Sequence, residues 1–292
     1  MPSLKASLSV YPRLLAIRSY RQRVGVTLLA FFGATATLGQ IILWVLGVSG
    51  GAALTWTVII CIVAGVIFAL RASLPSADVL FRHPTSGSTV RVLVGDLFGA
   101  YGGAIVVTMN RYFDTTPEWV SPGSLIAQLM RGPFAGRTGE LQETILARLE
   151  CGTRKERPVG EIVRLCGPGA TYLLLAVADR DEETRSTVAI DAVWESLSRL
   201  WRYARRHNLA GLRMPVIGSG YARARVGLPP MLMLLLSSYL TSAMEAPICD
   251  LEIVLHPSNA DPDLLELTKA YCEALGYKSI DKRPFTEADL SP

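Results

Sequence analysis

Acidic residues are missing from the first 70 positions of this 292-residue chain, and basic residues are missing between positions 24 and 70. The first 70 residues carry five basic side chains, whereas the remainder carries 24 basic and 25 acidic ones. The isoelectric point of about 8.8 therefore comes from the amino-terminal segment. Because the rest of the chain is near neutral, it lacks the basic surface of a nucleic-acid-binding domain, and we predict no nucleic-acid partner.

Cysteine and histidine are also scarce, and their spacing excludes two further classes of protein. The five cysteines are odd in number and widely separated, with no Cys-x-x-Cys pair. This pattern favours a reducing compartment over a disulfide framework. The three histidines, His83, His207 and His256, lie far apart, so we predict no metal site.

Long apolar runs are present where the charges are missing. Val24 to Val48 would reach about 37 Å as a helix, which exceeds a hydrocarbon core of about 30 Å. Ala52 to Leu70 is shorter, and Ser49 to Gly51 separates the two runs. The pair predicts a transmembrane helical hairpin over 24–72. A cleaved signal peptide is disfavoured by the length and by the second run, and a buried hairpin of a soluble protein by the lack of charge.

Basic residues flank the two apolar runs. Arg18, Arg21 and Arg23 precede the first run, and Arg71 follows the second. The positive-inside rule then predicts a multi-pass membrane protein, in contact with lipid, with both termini in the cytoplasm. Residues 1–23 form a basic flank, either as an amphipathic helix on the anionic inner leaflet or as a partly ordered segment.

Small residues recur four positions apart within the apolar runs, as in Ala30 with Ala34 and Gly65 with Ala69. Such rows let helices approach each other closely. Either the two spans of one chain pack together, or hairpins from several chains associate.

Strands and helices alternate after a predicted linker at 73–88. We predict strands at 90–94, 103–108, 159–165, 171–177, 209–216 and 251–255, and helices at 125–130, 138–149, 187–207, 229–244 and 261–275, the last with Asp261 as N-cap. Alternation of this kind indicates one α/β domain over 89–292 with a mixed or parallel sheet.

Three polar or glycine-rich turns follow predicted strands. Asp96 follows the first strand, Asn110 the second, and Gly218-Ser219-Gly220 a later one. Ligands of α/β sheets bind beyond the carboxyl ends of the strands, and glycines allow successive backbone N–H groups to surround an anion. A carboxylate, a carboxamide and an anion-binding turn together suit a nucleotide diphosphate. Each also has a simpler explanation: a turn cap, a strand end, or a tight strand-to-helix turn.

These turns and strands resemble those of macro domains, the α/β modules that bind ADP-ribose. Val92 to Leu97 is similar to the opening strand and Gly-Asp-Ile of that family, and Ala104 to Asn110 is similar to its strand ending in Asn-Ala-Ala-Asn. Ser121 to Leu125 lies where the first phosphate loop is expected, and Pro215 to Tyr221 resembles the second. The resemblance implies a macro-like three-layer α/β/α domain. It also implies a ligand site formed by Asp96, Leu97, Phe98, Asn110, Gly123, Ser124, Leu125, Ile217, Gly218, Ser219, Gly220 and Tyr221.

The resemblance implies roles for two of these residues and argues against catalysis. Asp96 would accept a hydrogen bond from the adenine amino group, and Asn110 would lie near the distal ribose. Hydrolytic macro domains resemble one another in a Gly-Gly-Gly-Val loop and in Asn-Ala-Ala-Asn, but this chain has Ser121 to Ser124 and Val107 to Asn110 there. We therefore predict no catalytic residue, no enzyme activity and no cofactor. Glu143 is similar in context to a Gln-Glu-Glu motif of poly-ADP-ribose hydrolases, but an exposed helix position explains it as well.

Several segments more specifically resemble the type II Thoeris antiphage effectors, in which two membrane spans precede a macro domain. They are Pro158 to Leu175, the helix with Trp194 and Trp201, Pro215 to Gly220, and Cys249 to Pro257. The resemblance implies a bacterial inner-membrane effector that senses histidine–ADP-ribose made by a TIR-domain partner. Ligand binding would drive homo-oligomerisation, membrane disruption and cell death. A membrane-anchored ADP-ribosyl hydrolase and an ADP-ribose-binding recruitment module are the alternatives.

Overall fold

The computed structural model describes residues 25–30, 63, 65–66, 76–83, 87–149, 155–181, 185–218, 226–257 and 262–284. The larger compact unit is Asp78–Lys282. Outside it, residues 25–30 are helical. In the described part of the chain, no helix is both long and apolar enough to cross a membrane. The hairpin predicted at 24–72 lies almost entirely outside the described residues and stays a prediction.

Nine strands form one mixed sheet among the described residues. The strands are β1 (Ser76–Arg82), β2 (Thr89–Val94), β3 (Ala104–Asn110), β4 (Ile162–Gly167), β5 (Ala170–Asp181), β6 (Arg185–Thr187), β7 (Gly211–Pro215), β8 (Asp250–Leu255) and β9 (Lys278–Pro284). The helices of this unit are α1 (Leu125–Arg131), α2 (Thr138–Arg148), α3 (Ile190–Arg206), α4 (Leu228–Glu245) and α5 (Pro262–Ala274). The order across the sheet is β4-β5-β3-β7-β8-β2-β1-β9, and β6 pairs with β5.

The centre of the sheet is parallel and its flanks are antiparallel. Strands β5, β3, β7, β8 and β2 run in one direction, whereas β4 and β1 run against their neighbours β5 and β2. Parallel strands are covered on both faces, so they are apolar almost throughout. This explains the continuous buried runs in β5 and β8, and it confirms the predicted α/β fold with a mixed sheet.

Helices cover both faces of the sheet. One face carries a buried cluster that joins α1 and α2 to β3, β4 and β5, including Ile126, Leu129, Leu141, Ile145, Ile105, Val107, Val163 and Leu174. Because side chains alternate along a strand, the buried residues Val106, Leu173 and Ile253 point to the opposite face. There α3 and α4 pack on each other, with Trp201 Nε1 donating to Ser238 Oγ at 2.8 Å.

Strand β1 corrects the prediction of a linker at 73–88. It pairs antiparallel with β2 from Asp78↔Leu93 to Arg82↔Thr89, and Val79 and Phe81 are buried. The prolines and serines that indicated a linker lie at the ends of the segment. Its short alternating apolar centre becomes a strand only because β2 offers a free edge. Strands β6 and β9 were not predicted either, since both are polar and form by pairing with strands already in place.

Candidate functional site

Strands β3 and β7 stop pairing before the carboxyl edge of the sheet, and the region between their carboxyl ends is called the crevice below. Among the described residues, pairing of these strands is confined to Ala104↔Leu212 and Ile105↔Arg213, although β3 continues to Asn110 and β7 to Pro215. The chain leaves β3 through α1 and α2 on one face, and it enters and leaves β7 through α3 and α4 on the other. Such a change in winding direction is where α/β sheets bind their ligands.

Asp96 lies at this edge, in the turn after β2. The turn is tied to β8, because the Gly95 N–H donates to the Leu255 carbonyl oxygen at 3.0 Å. Asp96 is exposed, and its Oδ1 accepts from the Phe98 N–H at 3.0 Å. The carboxylate is thus fixed in direction and open to solvent, as a ligand-binding acceptor requires. Leu97 is different, since its side chain is buried in the core cluster.

The turn after β7 places a glycine in the left-handed backbone region. Gly218 has φ +77°, which side chains with a Cβ rarely adopt. Val216 and Ile217 before it are buried, so only their backbone can face the crevice. The three following site residues, Ser219, Gly220 and Tyr221, lie outside the described residues, and their predicted role stays untested.

The loop before α1 is held by its own hydrogen bonds. Ser124 is the N-cap of α1, where its Oγ accepts from the Ala127 N–H at 3.3 Å and donates to the Ser121 carbonyl oxygen at 2.7 Å. The Gly123 carbonyl oxygen accepts from Gln128 Nε2 at 3.0 Å. Leu125 and Phe98 pack against the core cluster. The loop is therefore shaped before any ligand arrives, but the Ser124 hydroxyl is already engaged in hydrogen bonds.

Asn110 ends β3, and its side-chain amide is occupied by the turn that follows. Asn110 Oδ1 accepts from the backbone N–H of Tyr112 at 3.2 Å and of Asp114 at 3.1 Å. Asn110 Nδ2 donates to Asp114 Oδ2 at 2.8 Å. The structure places Asn110 at the predicted edge, in a role that shapes the turn. Its contact with a ribose stays a prediction.

Asp114 forms a buried ion pair with Arg180 of β5. Arg180 donates to both carboxylate oxygens, from Nε at 2.8 Å and from Nη2 at 2.7 Å, and Asp114 is only 1% exposed. The hydrogen bond to Asp114 raises the pKa of Arg180, so the guanidinium stays charged. It lies 3.8 Å from the ring centroid of Tyr112 and 4.7 Å from that of Trp119.

The sequence contained no signal for this ion pair. Asp114 stands four positions after Asn110 in an irregular segment, and its partner is 66 positions away. Nothing in local spacing connects residues that far apart. Glu143, in contrast, lies as expected on an exposed position of α2, away from the buried Leu141 and Ile145.

Comparison with known proteins decides the family. A family model described as Thoeris protein ThsA, Macro domain, matches residues 90–256, more than half of the chain. The chain belongs to this family of Thoeris macro-domain proteins. A search of curated proteins finds no match.

Solved structures share the fold of this macro domain at low sequence identity. A single-residue variant of the Oceanobacillus iheyensis macrodomain superposes with a TM-score of 0.52 at 16% identity, covering 68% of this chain and 99% of that one. A second variant, solved with ADPR, gives 0.52 at 15% identity, with 68% and 100% covered. The same macrodomain with ADP gives 0.50 at 16% identity, with 68% and 100% covered. At this identity the likeness is one of fold.

The macro domain has a second polar region at the opposite, amino-terminal edge of the parallel strands. Arg213, Glu252 and Arg91 occupy the same register position on β7, β8 and β2. Arg213 Nε lies 2.5 Å from Glu252 Oε1, and the Tyr101 ring covers the Arg213 guanidinium at 4.4 Å. Burial, and then the nearby Glu252 charge, raise the pKa of Tyr101. A cavity of about 300 Å³ opens beside Tyr101, Arg91 and Glu252 at this amino-terminal edge.

Proposed function

We propose that this protein is a Thoeris antiphage effector whose macro domain binds an ADP-ribose-derived signal, histidine–ADP-ribose, made by a TIR-domain partner. Binding triggers association of several chains through the amino-terminal apolar hairpin, and the inner membrane is disrupted. The two apolar runs at 24–48 and 52–70 support the membrane step. The chain acts as a sensor and carries out no catalysis.

The observation that carries this proposal is the crevice between β3 and β7. It lies at the same carboxyl edge of the sheet as the exposed, directed carboxylate of Asp96 and the glycine turn at Gly218. A directed carboxylate suits the amino group of a purine. A turn that exposes backbone N–H groups suits a pyrophosphate. Family membership supports the same ligand class, and the Oceanobacillus iheyensis macrodomain, which has the same fold, was solved with ADPR and with ADP.

Binding can drive assembly only if the ligand prefers the assembled state. A shift from about 1:99 to about 99:1 between two states needs a preference of about 10⁴-fold. We therefore expect the affinity for the signal to rise with protein concentration. A plain recruitment module would show no such dependence.

Calorimetry on the full-length chain, dispersed in mild detergent, tests the proposal with ADP-ribose, histidine–ADP-ribose and NAD as ligands. Selective binding of the conjugate, with the ligand recovered intact, is the expected result. Breakdown of an ADP-ribose adduct would instead favour the hydrolase. Absence of binding to all three ligands would overturn the sensor function.

Substitution of Gly218 separates ligand sensing from membrane damage. Gly218→Glu puts a side chain and a negative charge into a left-handed turn at the crevice, so binding and cell killing should disappear together. Gly169→Glu is the matched control, because Gly169 has φ +72° and open space around it, in the hairpin between β4 and β5. Killing by Gly218→Glu at the unmodified level, without binding, would contradict ligand gating.

A further inference from the structure

We propose that Asp114 and Arg180 are positioning residues of the ligand site. Their ion pair holds the turn from Asn110 to Asp114 in the conformation that forms the β3 wall of the crevice. The inference rests on the proposed function, because it concerns affinity for the same ADP-ribose-derived ligand. It assigns the two residues a role through the turn and no direct contact with the ligand.

The turn from Asn110 to Asp114 contains a residue in an unfavourable backbone conformation. Phe113 has φ 51°, a left-handed conformation that residues with a Cβ rarely adopt. Its side chain is buried, and its N–H donates to the Asn110 carbonyl oxygen at 3.0 Å. Strained residues of this kind persist where surrounding contacts over-determine them, and they cluster at ligand sites. Here the surrounding contacts include the Asn110 amide, the Asp114 carboxylate and the backbone N–H of Arg111, which donates to the Ala178 carbonyl oxygen at 2.8 Å.

The ion pair ties this turn to a rigid neighbour. A buried carboxylate is unfavourable unless it is paired and hydrogen-bonded, and Asp114 is almost fully buried. Arg180 supplies two parallel hydrogen bonds from β5, which pairs with β3 from Ala104 to Asn110 and continues beyond it, so that Arg180 lies two residues past the last pair, Asn110↔Ala178. The planar guanidinium fixes both distance and direction, which a lysine ammonium does not. Asp114, and with it Asn110, is thereby held in register with the sheet.

The same guanidinium fixes two aromatic side chains beside the turn. Tyr112 and Trp119 both lie within stacking distance of Arg180. Trp119 belongs to the segment that leads from the turn to α1, where its backbone N–H donates to the Thr116 carbonyl oxygen at 3.1 Å. Arg180 therefore organises the turn and the start of the next loop together.

The chain contains a matched control for this ion pair. Arg213 and Glu252 form a similarly buried arginine–carboxylate pair, with side chains 11% exposed on both sides. That pair lies at the amino-terminal edge of the strands, away from the crevice. Arg180→Lys and Arg213→Lys make the same chemical change, one beside the proposed site and one remote from it.

The experiment is calorimetry with histidine–ADP-ribose, the proposed signal, on the full-length chain and its variants, below the unfolding temperature of the least stable one. Arg180→Lys should weaken binding about tenfold with the number of sites per chain unchanged, whereas Arg213→Lys should keep the unmodified affinity. A variant that acts only by unfolding would lower the number of sites and leave the affinity of the folded fraction unchanged. Combining Arg180→Lys with Asn110→Ala should weaken binding no more than the worse single change, because both act through one turn.

The other possible results contradict either the positioning role alone or the positioning role together with the proposed function. Unchanged affinity in Arg180→Lys, or losses that multiply in the double variant, would overturn the positioning role while the proposed function stands. Equal losses of affinity in Arg180→Lys and Arg213→Lys would also overturn it, since position would then not matter. If the unmodified chain binds none of histidine–ADP-ribose, ADP-ribose and NAD, the inference and the proposed function are overturned together.

Discussion

A Cβ added to Gly103 would lie 2.4 Å from the carbonyl oxygen of Gly211. Gly103 immediately precedes β3 and Gly211 begins β7, next to the register pair Ala104↔Leu212 at the amino-terminal edge. The same Cβ would lie 2.7 Å from the ring of Tyr101, which covers Arg213. Strands β3 and β7 are therefore in close contact at this edge, whereas their register pairs end after Ile105↔Arg213.

Gly103→Ala should therefore destabilise the fold by about 1–3 kcal/mol, the usual cost of overpacking. The clash is with backbone, so a change of side-chain rotamer cannot relieve it. Gly102→Ala is the control, because Gly102 is exposed and a Cβ there meets no atom within 4 Å. Urea denaturation of both variants measures the difference. A stability of Gly103→Ala equal to that of Gly102→Ala would show that the strands can move apart without cost.

Glu252→Gln should lower the free energy of unfolding by about 3–5 kcal/mol, because it leaves a buried guanidinium without its counter-charge. Replacing both partners, Arg213→Met with Glu252→Leu, should cost less than the single change, since no charge is then left uncompensated. The exposed pair of Glu195 with Arg199 on α3 supplies the control, where Glu195→Gln should cost less than about 1 kcal/mol. Thermal and urea unfolding measure all three variants. A double variant less stable than Glu252→Gln would contradict this account.

Asp96→Ala should weaken ADP-ribose binding about tenfold, the equivalent of about 1.4 kcal/mol, as expected for a lost hydrogen bond to a charged acceptor. Asp96→Asn keeps an oxygen for the Phe98 N–H and so preserves the turn while removing the charge. The hypoxanthine analogue of ADP-ribose lacks the adenine amino group. The affinity of the unmodified chain for this analogue should equal the affinity of Asp96→Ala for ADP-ribose. Asp96→Ala itself should bind the analogue and ADP-ribose with equal affinity. A preference for ADP-ribose that survives in Asp96→Ala would place the amino group elsewhere.

Alkaline pH should destabilise the fold through Cys272. Burial raises the pKa of its thiol from the ordinary 9.0 to about 12, and the side chain is fully buried. As the pH rises, the thiol ionises in the unfolded chain before it ionises in the folded one. Its contribution to the free energy of unfolding is therefore fully present below pH 9.0 and is lost between pH 9.0 and about pH 12. The loss reaches about 1.4 kcal/mol per pH unit for one group.

Urea denaturation between pH 7 and pH 11 tests this statement. The stability difference between the unmodified chain and Cys272→Ala should be constant below pH 8 and should shift in favour of the variant above pH 9. The exposed Cys166 provides the control, because Cys166→Ala should follow the unmodified chain throughout. Parallel curves for the chain and Cys272→Ala up to pH 11 would contradict the effect of burial.

The sequence predicted the central strands and most helices because their signals are local. β2, β3 and β8 are apolar runs that end in turn residues, and α3 and α4 have sharp boundaries that lie within a few residues of the predicted ones. The positions of Asp96, Asn110 and Gly218 at one edge also followed from the sequence, since the carboxyl ends of parallel strands meet there. β1 was missed because its short apolar centre is stabilised only by pairing with β2.

By itself the sequence determined which residues would lie at the carboxyl edge, and it determined that Gly218 would be needed in a turn. Both followed because hydrophobic periodicity, turn chemistry and strand direction depend on residues close together in the chain. Only the tertiary structure decided what those residues do there. It turned the side chains of Leu97 and Ile217 inward and engaged the Asn110 amide in its own turn. It also joined Asp114 to Arg180, because a buried charge takes the partner that the fold brings within hydrogen-bond distance, however far apart the two lie in the chain.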